Sequence, residues 1–311
     1  MISLGIDTSN YTCSVALYNS QTGEMAMQKQ LLPTQPGSLG LRQSQAVFEH
    51  TKRLGGLLQA LFQQRDSRVD AVGVSTRPRS VEGSYMPCFL TGKMAAESIG
   101  ACMQLPVFSF SHQEGHLAAA LFSAQKLDWL QHAQFLAFHL SGGTTECMLV
   151  RTSGGQIQSV QRVCRSLDLK AGQAVDRVGV ALGLSFPAGP QLEQLAGECR
   201  TPITAKATMK GNDCCLSGIE NICAKLQQDG APPSYVAATC LAYLRANIEG
   251  MLHAAWQQCG KLPVLFAGGV MSNCMLRDYF TTNYQGVFAQ PAYSSDNAGG
   301  IAVLAANRGG C

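Results

Sequence analysis

Two stretches of the sequence share one plan: ISLGIDTSNYTCSVALY at residues 2–18 and QFLAFHLSGGTTECMLVR at residues 134–151. In each, an apolar run enters a turn rich in Ser, Thr or Gly and a second apolar run follows, which predicts a β-hairpin. When the turns are aligned, residues 12–15 (TCSV) fall opposite residues 145–148 (TECM). Two such hairpins in one chain are typical of a duplicated lobe. Two unrelated hairpins explain these residues equally well, because hairpins are common.

The rest of the chain alternates between amphipathic helices and short apolar strands. Helical spacing of apolar residues predicts helices at residues 44–64, 91–103, 174–184, 189–197, 217–226, 235–259 and 297–307. Apolar runs predict strands at residues 71–75 and 263–267. This alternation indicates a layered α/β fold with parallel strands. The 311 residues allow one large domain or two lobes of about 150 residues each.

The composition excludes several classes of protein. Hydrophobic residues make up 46% of the chain and charged residues 14%, which excludes a disordered protein. A net charge of +3 is too small to indicate nucleic-acid binding by itself. No apolar run reaches the roughly 18 residues of a membrane span, and the start lacks the positive segment of a secretory signal. The 13 cysteines lack paired metal-ligand spacing. We therefore expect free thiols, a cytoplasmic location and no membrane contact.

The segment Ser-His-Gln-Glu-Gly-His at residues 111–116 is the first candidate for chemistry. Ser111 is a suitable N-cap, and a helix after it would bring His112 and His116 onto one face, as two metal ligands require. On these residues alone, chance spacing of two histidines is the stronger explanation. Glu114 lies two residues after His112 rather than next to it, which disfavours a zinc protease.

Two glycine loops are candidates for binding an anion. The first is Leu140-Ser141-Gly142-Gly143-Thr144, whose backbone N–H groups can cradle a phosphate or a developing negative charge. The second, AGGVMSN at residues 267–273, joins a buried strand to a helix that begins near Asn273. An ordinary glycine turn is the commoner use of the first loop and an equal alternative for the second.

Three carboxylates complete the candidate set. Asp176 and Glu193 lie in and after the segments AGQAVDR (residues 171–177) and FPAGP (residues 186–190) and could accept hydrogen bonds from ribose or amino-acid groups. Exposed helix carboxylates usually have no such role. Asp296 is placed to cap the last helix, and it could instead join two histidines as a third metal ligand.

The order of these motifs along the chain is more specific than any one of them. One series of motifs spans the whole chain. In order, these are a first hairpin, HxExH, SGG-T, AGxAxDR with PxGP, SGI, AGGVxxN and SDNA. This series resembles the universal TsaD/Kae1/Qri7 family of tRNA threonylcarbamoyladenosine-modifying proteins, once described as glycoproteases. The resemblance implies an α/β fold of two duplicated lobes, as in actin, sugar kinases and Hsp70 (the ASKHA fold), with a central inter-lobe cleft. We expect the first lobe at residues 1–108 plus 294–311 and the second at residues 109–293.

The resemblance also implies an activity, which is transfer of a threonylcarbamoyl group from threonylcarbamoyl-adenylate to N6 of adenosine 37 in tRNA. It implies one divalent metal ion (iron, zinc or manganese) on His112, His116 and Asp296. The implied contacts to an adenine nucleotide or the adenylate donor are Leu140, Ser141, Gly142, Gly143, Thr144, Asp176, Gly189, Glu193 and Asn273. The implied partners are tRNA, a paralogous subunit and a second copy of the chain. Arg162, Arg165, Lys170 and Arg177 could form a basic face for tRNA, although an ordinary charged helix face is the favoured explanation.

The first lobe departs from the family pattern. The family's first turn reads ETSCDET, whereas here Asp7-Thr8-Ser9-Asn10-Tyr11-Thr12 lacks both of its later acids. The glycine loop of the family's first lobe is replaced by RPRSVEG at residues 77–83, and Glu220 replaces the lysine that usually follows SGL. These changes keep open a second function, a non-catalytic nucleotide-binding partner or scaffold of the same fold.

Overall fold

The computed structural model describes residues 1–9, 11–33, 41–63, 68–290 and 297–310. The chain forms two compact units. The first comprises Met1–Ala133, Thr152–Ser159 and Ala292–Cys311, and the second comprises Gln134–Arg151 and Val160–Pro291.

The secondary structure alternates as the sequence predicts. The described strands are β1 Ile2–Ser9, β2 Thr12–Asn19, β3 Met25–Leu31, β4 Ala71–Arg77, β5 Val107–Ser111, β6 His132–Leu140, β7 Thr145–Ser153, β8 Gln156–Arg165, β9 Met209–Lys210, β10 Asp213–Cys214, β11 Val264–Ala267 and β12 Val287–Phe288. The described α-helices are α1 Gln43–Gln63, α2 Phe89–Met103, α3 His112–Ser123, α4 Ala171–Ala181, α5 Gly189–Gly197, α6 Ser217–Gln228, α7 Pro233–Cys259, α8 Cys274–Tyr284 and α9 Ala298–Gly309.

The two large sheets have the same strand order. One runs β3-β2-β1-β4-β5, and the other, read from its β8 edge, runs β8-β7-β6-β11-β12. In the first, β1 pairs antiparallel with β2 and parallel with β4. In the second, β11 pairs parallel with both β6 and β12. Each predicted hairpin therefore belongs to the same five-strand arrangement. This shared arrangement favours a duplicated lobe over two unrelated hairpins.

Helix α9 lies directly on the first sheet because small residues allow a close approach. A Cβ atom on Gly73 of β4 would lie 2.8 Å from the Ile301 carbonyl oxygen of α9. A Cβ atom on Gly300 would collide with the Gly115 backbone of α3, so α3 and α9 also touch backbone to backbone. This packing brings the first turn of α3 next to the first turn of α9. It also places residues 109–133 in the first unit, whereas the sequence-based boundary at residue 108 assigned them to the second lobe.

The second unit has its own core around helix α7. Phe138, Phe266 and Phe280 are fully buried beside α7, which buries 13 of its 27 residues. The Phe138 and Phe266 ring centroids lie 5.1 Å apart, and those of Phe266 and Phe280 lie 5.0 Å apart. This apolar layer fixes α7 and α8 against the sheet and gives the loops between them a rigid base.

Two further findings concern the cysteines and the helices of the described ranges. Every cysteine in the described ranges is a free thiol, as the sequence predicts. Within those same ranges, no helix combines the length and the apolar character that crossing a bilayer requires.

Candidate functional site

A cavity of about 350 Å³ lies in the second unit, where α4, α5 and α8 meet the loops after β6 and β11. Its wall includes six of the residues that the sequence singles out: Ser141, Gly142, Asp176, Gly189, Glu193 and Asn273. The remaining three expected residues, Leu140, Gly143 and Thr144, do not line it. Residues from four separate segments of the chain thus share one small-molecule-sized space.

The glycine loop after β6 is a turn closed by its own hydrogen bonds. The Ser141 amide donates to the Thr144 carbonyl oxygen (2.8 Å). The Ser141 hydroxyl oxygen accepts from the amides of Gly143 (3.3 Å) and Thr144 (3.0 Å). Of the amides at residues 141–143, only that of Gly142 lacks an acceptor among the described residues. The Gly142 amide is therefore the one of these three that the turn leaves available for an anion, because the turn itself uses the other two.

Glycine at position 172 lets α4 begin against this loop. A Cβ atom there would lie 2.6 Å from the Gly142 nitrogen and 2.8 Å from its Cα. The Gly172 amide donates to the Ser141 carbonyl oxygen at 3.1 Å. The loop is thus held against the first turn of α4, which forms one side of the cavity.

Asp176, Glu193 and Asn273 satisfy backbone amides at the cavity wall. The Ala188 amide donates to Asp176 Oδ1 (2.9 Å), and the Cys274 amide donates to Glu193 Oε1 (2.8 Å). Asn273 is the N-cap of α8, where its Oδ1 accepts from the Leu276 amide at 3.0 Å. Asp176 Oδ2 has no partner among the described residues, so a second acceptor remains for a ligand.

A second polar cluster lies in the first unit, at the start of α3. Ser111 is the N-cap, as the sequence predicts, and forms a capping box with Glu114. The Glu114 amide donates to the Ser111 hydroxyl (3.2 Å), and the Ser111 amide donates to Glu114 Oε2 (2.6 Å). The helix brings the His112 and His116 rings together with their centroids 4.5 Å apart. Both histidines therefore lie on one face of α3.

The fully buried Asp7 carboxylate of β1 organises this cluster. It accepts hydrogen bonds from the hydroxyls of Ser9 (2.7 Å) and Ser75, and His112 Nδ1 lies 3.2 Å from its Oδ1. Burial raises the pKa of the Asp7 carboxyl, but the charge and hydrogen bond of His112 and the two serine hydroxyls outweigh burial. The net pKa lies well below the usual value for aspartate, so Asp7 is ionised at neutral pH.

Asn297 closes the cluster from the start of α9. Its Nδ2 lies 3.1 Å from His112 Nδ1 and donates to Asp7 Oδ2 at 3.4 Å. Its Oδ1 is buried without a hydrogen-bond partner among the described residues. Neither Asp7 nor Asn297 is among the site residues predicted from the sequence. The signal for Asp7 was present, since a charged residue in an otherwise apolar strand requires buried partners.

The residues present fit a divalent metal ion. A carboxylate on one ring nitrogen is the usual support for a metal-binding histidine, and Asp7 supplies it to His112 Nδ1. Asn297, whose Nδ2 contacts His112, adds a buried Oδ1 that has no hydrogen-bond partner in the described part of the chain. Asp296, the third expected ligand, lies outside the described residues. Within the described part of the chain, no three His, Cys, Asp or Glu side chains are grouped as a metal site.

Comparison with known proteins identifies the family. The family model described as TsaD, tRNA N6-adenosine threonylcarbamoyltransferase, matches residues 28–303. The curated tRNA N6-adenosine threonylcarbamoyltransferase of Chromobacterium violaceum is 29% identical over 330 residues, covering 99% of this chain and 93% of the relative. The chain belongs to the TsaD family and is a transferase of the tRNA N6-adenosine threonylcarbamoyltransferase-like type.

Solved structures of distant sequence share the fold. HypF from T. kodakarensis matches with a TM-score of 0.60 at 14% identity, over 99% of this chain and 47% of that one. The ROK hexokinase from Thermus thermophilus matches with a TM-score of 0.52 at 14% identity, over 99% of both chains. These similarities confirm the predicted α/β fold, which the chain shares with HypF and with the ROK hexokinase.

Proposed function

We propose that the chain transfers a threonylcarbamoyl group from threonylcarbamoyl-adenylate to N6 of adenosine 37 in tRNA. The observation that carries the proposal is the cavity of about 350 Å³ in the second unit. Its volume is within the range of about 300–1,000 Å³ that is usual for small-molecule sites. Its wall combines a free backbone amide at Gly142 with the Asp176 and Glu193 carboxylates, which suits the adenylate half of the donor.

The proposed chemistry is acyl transfer to an amine. The donor carbonyl is activated as a mixed anhydride, the adenosine N6 amine attacks it, and AMP leaves. The Gly142 amide binds negative charge on the donor, while Asp176 Oδ2 accepts a ribose hydroxyl. Holding the donor in a fixed position makes its reaction with the amine effectively intramolecular.

The proposed metal ligands are His112, His116 and Asp296, with iron, zinc and manganese all compatible with such a set. A bound divalent ion supplies a Lewis acid for a phosphate or acyl oxygen. Asp7 would hold the His112 ring through its Nδ1 atom, which leaves Nε2 as the nitrogen that binds the metal.

The transfer is tested directly. Purified protein is incubated with threonylcarbamoyl-adenylate, a divalent metal salt and unmodified tRNA, and the tRNA nucleosides are analysed by mass spectrometry. We expect threonylcarbamoyl-adenosine to accumulate with time and enzyme concentration. Absence of product in each of iron, zinc and manganese, with and without cell extract as a source of partner subunits, contradicts the proposal.

Metal content tests the ligand set separately. The protein and its His112→Ala variant are purified side by side and analysed by inductively coupled plasma mass spectrometry. We expect the variant to retain less than about a tenth of the wild-type metal, since loss of one of three protein ligands weakens binding strongly. His132→Ala, a change at an exposed histidine of the same unit, is the matched control. Equal metal in His112→Ala and wild type removes the proposed site.

A second candidate function, a non-catalytic nucleotide-binding partner, has specific support. Tyr11 and Thr12 occupy the positions where the family motif carries two acids. Loss of acids near reacting groups removes possible proton acceptors, while the cavity that would hold the nucleotide is kept. Tight AMP binding without nucleoside product favours this function.

Binding of tRNA is part of the proposal. The exposed Arg162 and Arg165 lie on the edge strand β8 rather than on a helix, which corrects the interpretation of these residues as a charged helix face. Arg177, on α4, forms an ion pair with Glu220 at 3.0 Å. If tRNA binds, its affinity falls steeply with salt. Salt-independent binding contradicts tRNA as the acceptor.

Protein partners and a cytoplasmic location complete the proposal. Helices α1 and α2 expose large apolar side chains: Phe48 is 61%, Leu90 48% and Met94 56% exposed. Such side chains support contact with a paralogous subunit or with a second copy of the chain. Light scattering of the pure protein separates these two partners, because only the second gives a dimer. The free cysteines suit a reducing cytoplasm.

A further inference from the structure

A second cavity, of about 190 Å³, lies in the second unit beside the first. Its long wall is one face of α7, which contributes Leu241, Ala242 and Arg245. Apolar side chains from α8 and from the segment after α5, including Leu276 and Ile203, form the other walls. The lining of the cavity is therefore apolar except for Arg245, Cys199 and Thr201.

The guanidinium of Arg245 has no anionic partner among the described residues. Its Cζ lies over the Tyr279 ring, 4.4 Å from the ring centroid. Arg245 forms no hydrogen bond or ion pair with any residue in the described ranges. The nearby acid on α7, Glu249, is already engaged, because its Oε1 accepts from the hydroxyls of Tyr279 (2.6 Å) and Tyr284.

Arg245 differs in this respect from Arg177 of the same unit. Arg177 is exposed and paired with Glu220, whereas Arg245 is half-buried and has no ion pair within the described part of the chain. A half-buried cation without a counter-ion is costly, and a carboxylate satisfies it with two parallel hydrogen bonds. The Tyr279 ring holds the guanidinium plane in place, so little side-chain entropy is lost when an anion binds.

We propose that this cavity is a binding site for a small monocarboxylate with a short apolar tail. The carboxylate pairs with Arg245, and the tail lies against Leu241, Ala242 and Ile203. A volume of 190 Å³ equals the share of about six water molecules in the liquid, which limits the tail to roughly four or five carbons.

The site is separate from the larger cavity but shares a wall with it. Leu241 and Leu276 line both cavities. A carboxylate in the smaller cavity therefore contacts side chains that also contact a ligand in the larger one. The two ligands bind together, and each changes the affinity of the other by the same factor.

The test uses pentanoate as the probe, with pentan-1-ol and pentylammonium as the uncharged and oppositely charged molecules of similar length. Binding to the full-length protein is followed by ligand-observed NMR and by calorimetry, without tRNA or donor. The result is therefore independent of any transfer activity. We expect pentanoate to bind at least about tenfold more tightly than pentan-1-ol, since hydrogen bonds between two charged groups are stronger than those to a neutral hydroxyl. Pentylammonium should not bind.

Two variants locate the site. Arg245→Gln removes the charge and should weaken pentanoate binding at least about tenfold, whereas Ala242→Phe should abolish it by filling the space. Arg277→Gln is the matched control, because Arg277 also stacks on an aromatic ring (5.3 Å from Phe288) but lies outside the cavity. Circular dichroism verifies folding of each variant. Equal pentanoate affinity in wild type, Arg245→Gln and Ala242→Phe overturns the proposal.

A competition experiment separates this site from an extension of the larger cavity. Pentanoate affinity is measured with and without saturating AMP. Simultaneous binding supports an independent site. Complete mutual exclusion shows that the smaller cavity belongs to the larger one and overturns the proposal.

Discussion

A single buried carboxylate, Asp7, connects three distant parts of the first unit. It contacts Ser75 of β4, His112 of α3 and Asn297 at the start of α9. The pKa of Asp7 lies below its usual value because His112 and the serine hydroxyls outweigh the effect of burial. An ionised, fully hydrogen-bonded carboxylate in a core fixes the orientation of its partners. Here it fixes the ring of His112.

The Asp7→Asn variant should be less stable, by about 2–4 kcal/mol at pH 7, because it removes the charge that the cluster is built to bind. Since the pKa of Asp7 is lower in the folded than in the unfolded protein, its contribution to stability is complete above the unfolded value of 3.8. That contribution is lost as pH falls through the lower folded pKa. Urea unfolding of the wild type and of Asp7→Asn at pH 7 measures this contribution, and the same pair of measurements at about pH 2 should give a smaller difference between the two proteins.

The control for Asp7 is another aspartate of the same unit. Asp70 is exposed and accepts one hydrogen bond from the Ile2 amide at 2.8 Å. Asp70→Asn should change stability by less than about 1 kcal/mol. If Asp7→Asn costs no more than Asp70→Asn, the carboxylate does not have the organising role assigned to it.

At the scale of elements, the larger cavity depends on how three helices begin. Helix α4 begins against the glycine loop, α5 follows the Asp176–Ala188 hydrogen bond, and the first amides of α8 are taken by Glu193 and Asn273. Polar side chains at the starts of helices usually satisfy free amides. In this unit the same contacts join neighbouring helices and so set the width of the cavity.

The Gly172→Ala variant tests this packing. Its Cβ atom would lie under 3.0 Å from backbone atoms of Gly142, so the loop must shift. We expect a loss of about 1–3 kcal/mol in stability, as for other overpacked sites, and weaker AMP binding by about tenfold or more. Gly218→Ala is the control, because a Cβ atom there meets nothing within 4 Å. Unchanged AMP affinity in Gly172→Ala, measured by calorimetry, contradicts a role for this contact.

At the scale of the whole molecule, the two units repeat one sheet topology but have different polar sites. The first carries the Asp7, His112 and Asn297 cluster, and the second carries both cavities. Each unit has its own apolar core. The two copies of the duplicated fold can therefore carry different sites, because the local structure of each site depends on the core of its own unit.

Hydrogen exchange with and without AMP tests this division. AMP at about 100 times its Kd should stabilise the structure that binds it by about 2.7 kcal/mol. We expect slower exchange in peptides from α4, α5 and α8, and little change in peptides from α1 and α2. Equal protection of both sets of peptides would contradict a nucleotide site confined to the second unit.

Local sequence patterns were sufficient to predict most helices and several strands of this protein. The hairpins, helices α1, α2 and α7, the Ser111 cap and the Asn273 cap all follow from residues close together in the sequence. Strands β3 and β8 are not among the predicted elements, because they lie at sheet edges and carry many polar residues. Their identity depends on pairing with β2 and β7, and a local pattern does not contain that information.

The amino-acid sequence by itself determined the α/β class and the approximate positions of most helices, since these depend on spacing and on capping, and the order of its motifs pointed to six of the residues that line the larger cavity. Only the tertiary structure decided that Asp7 meets His112, that two of the three amides at residues 141–143 are already used, and that Arg245 has no anionic partner among the described residues. The reason is physical: periodicity is a property of neighbouring residues, whereas burial and pairing of a charge depend on which distant segments the sheet brings together.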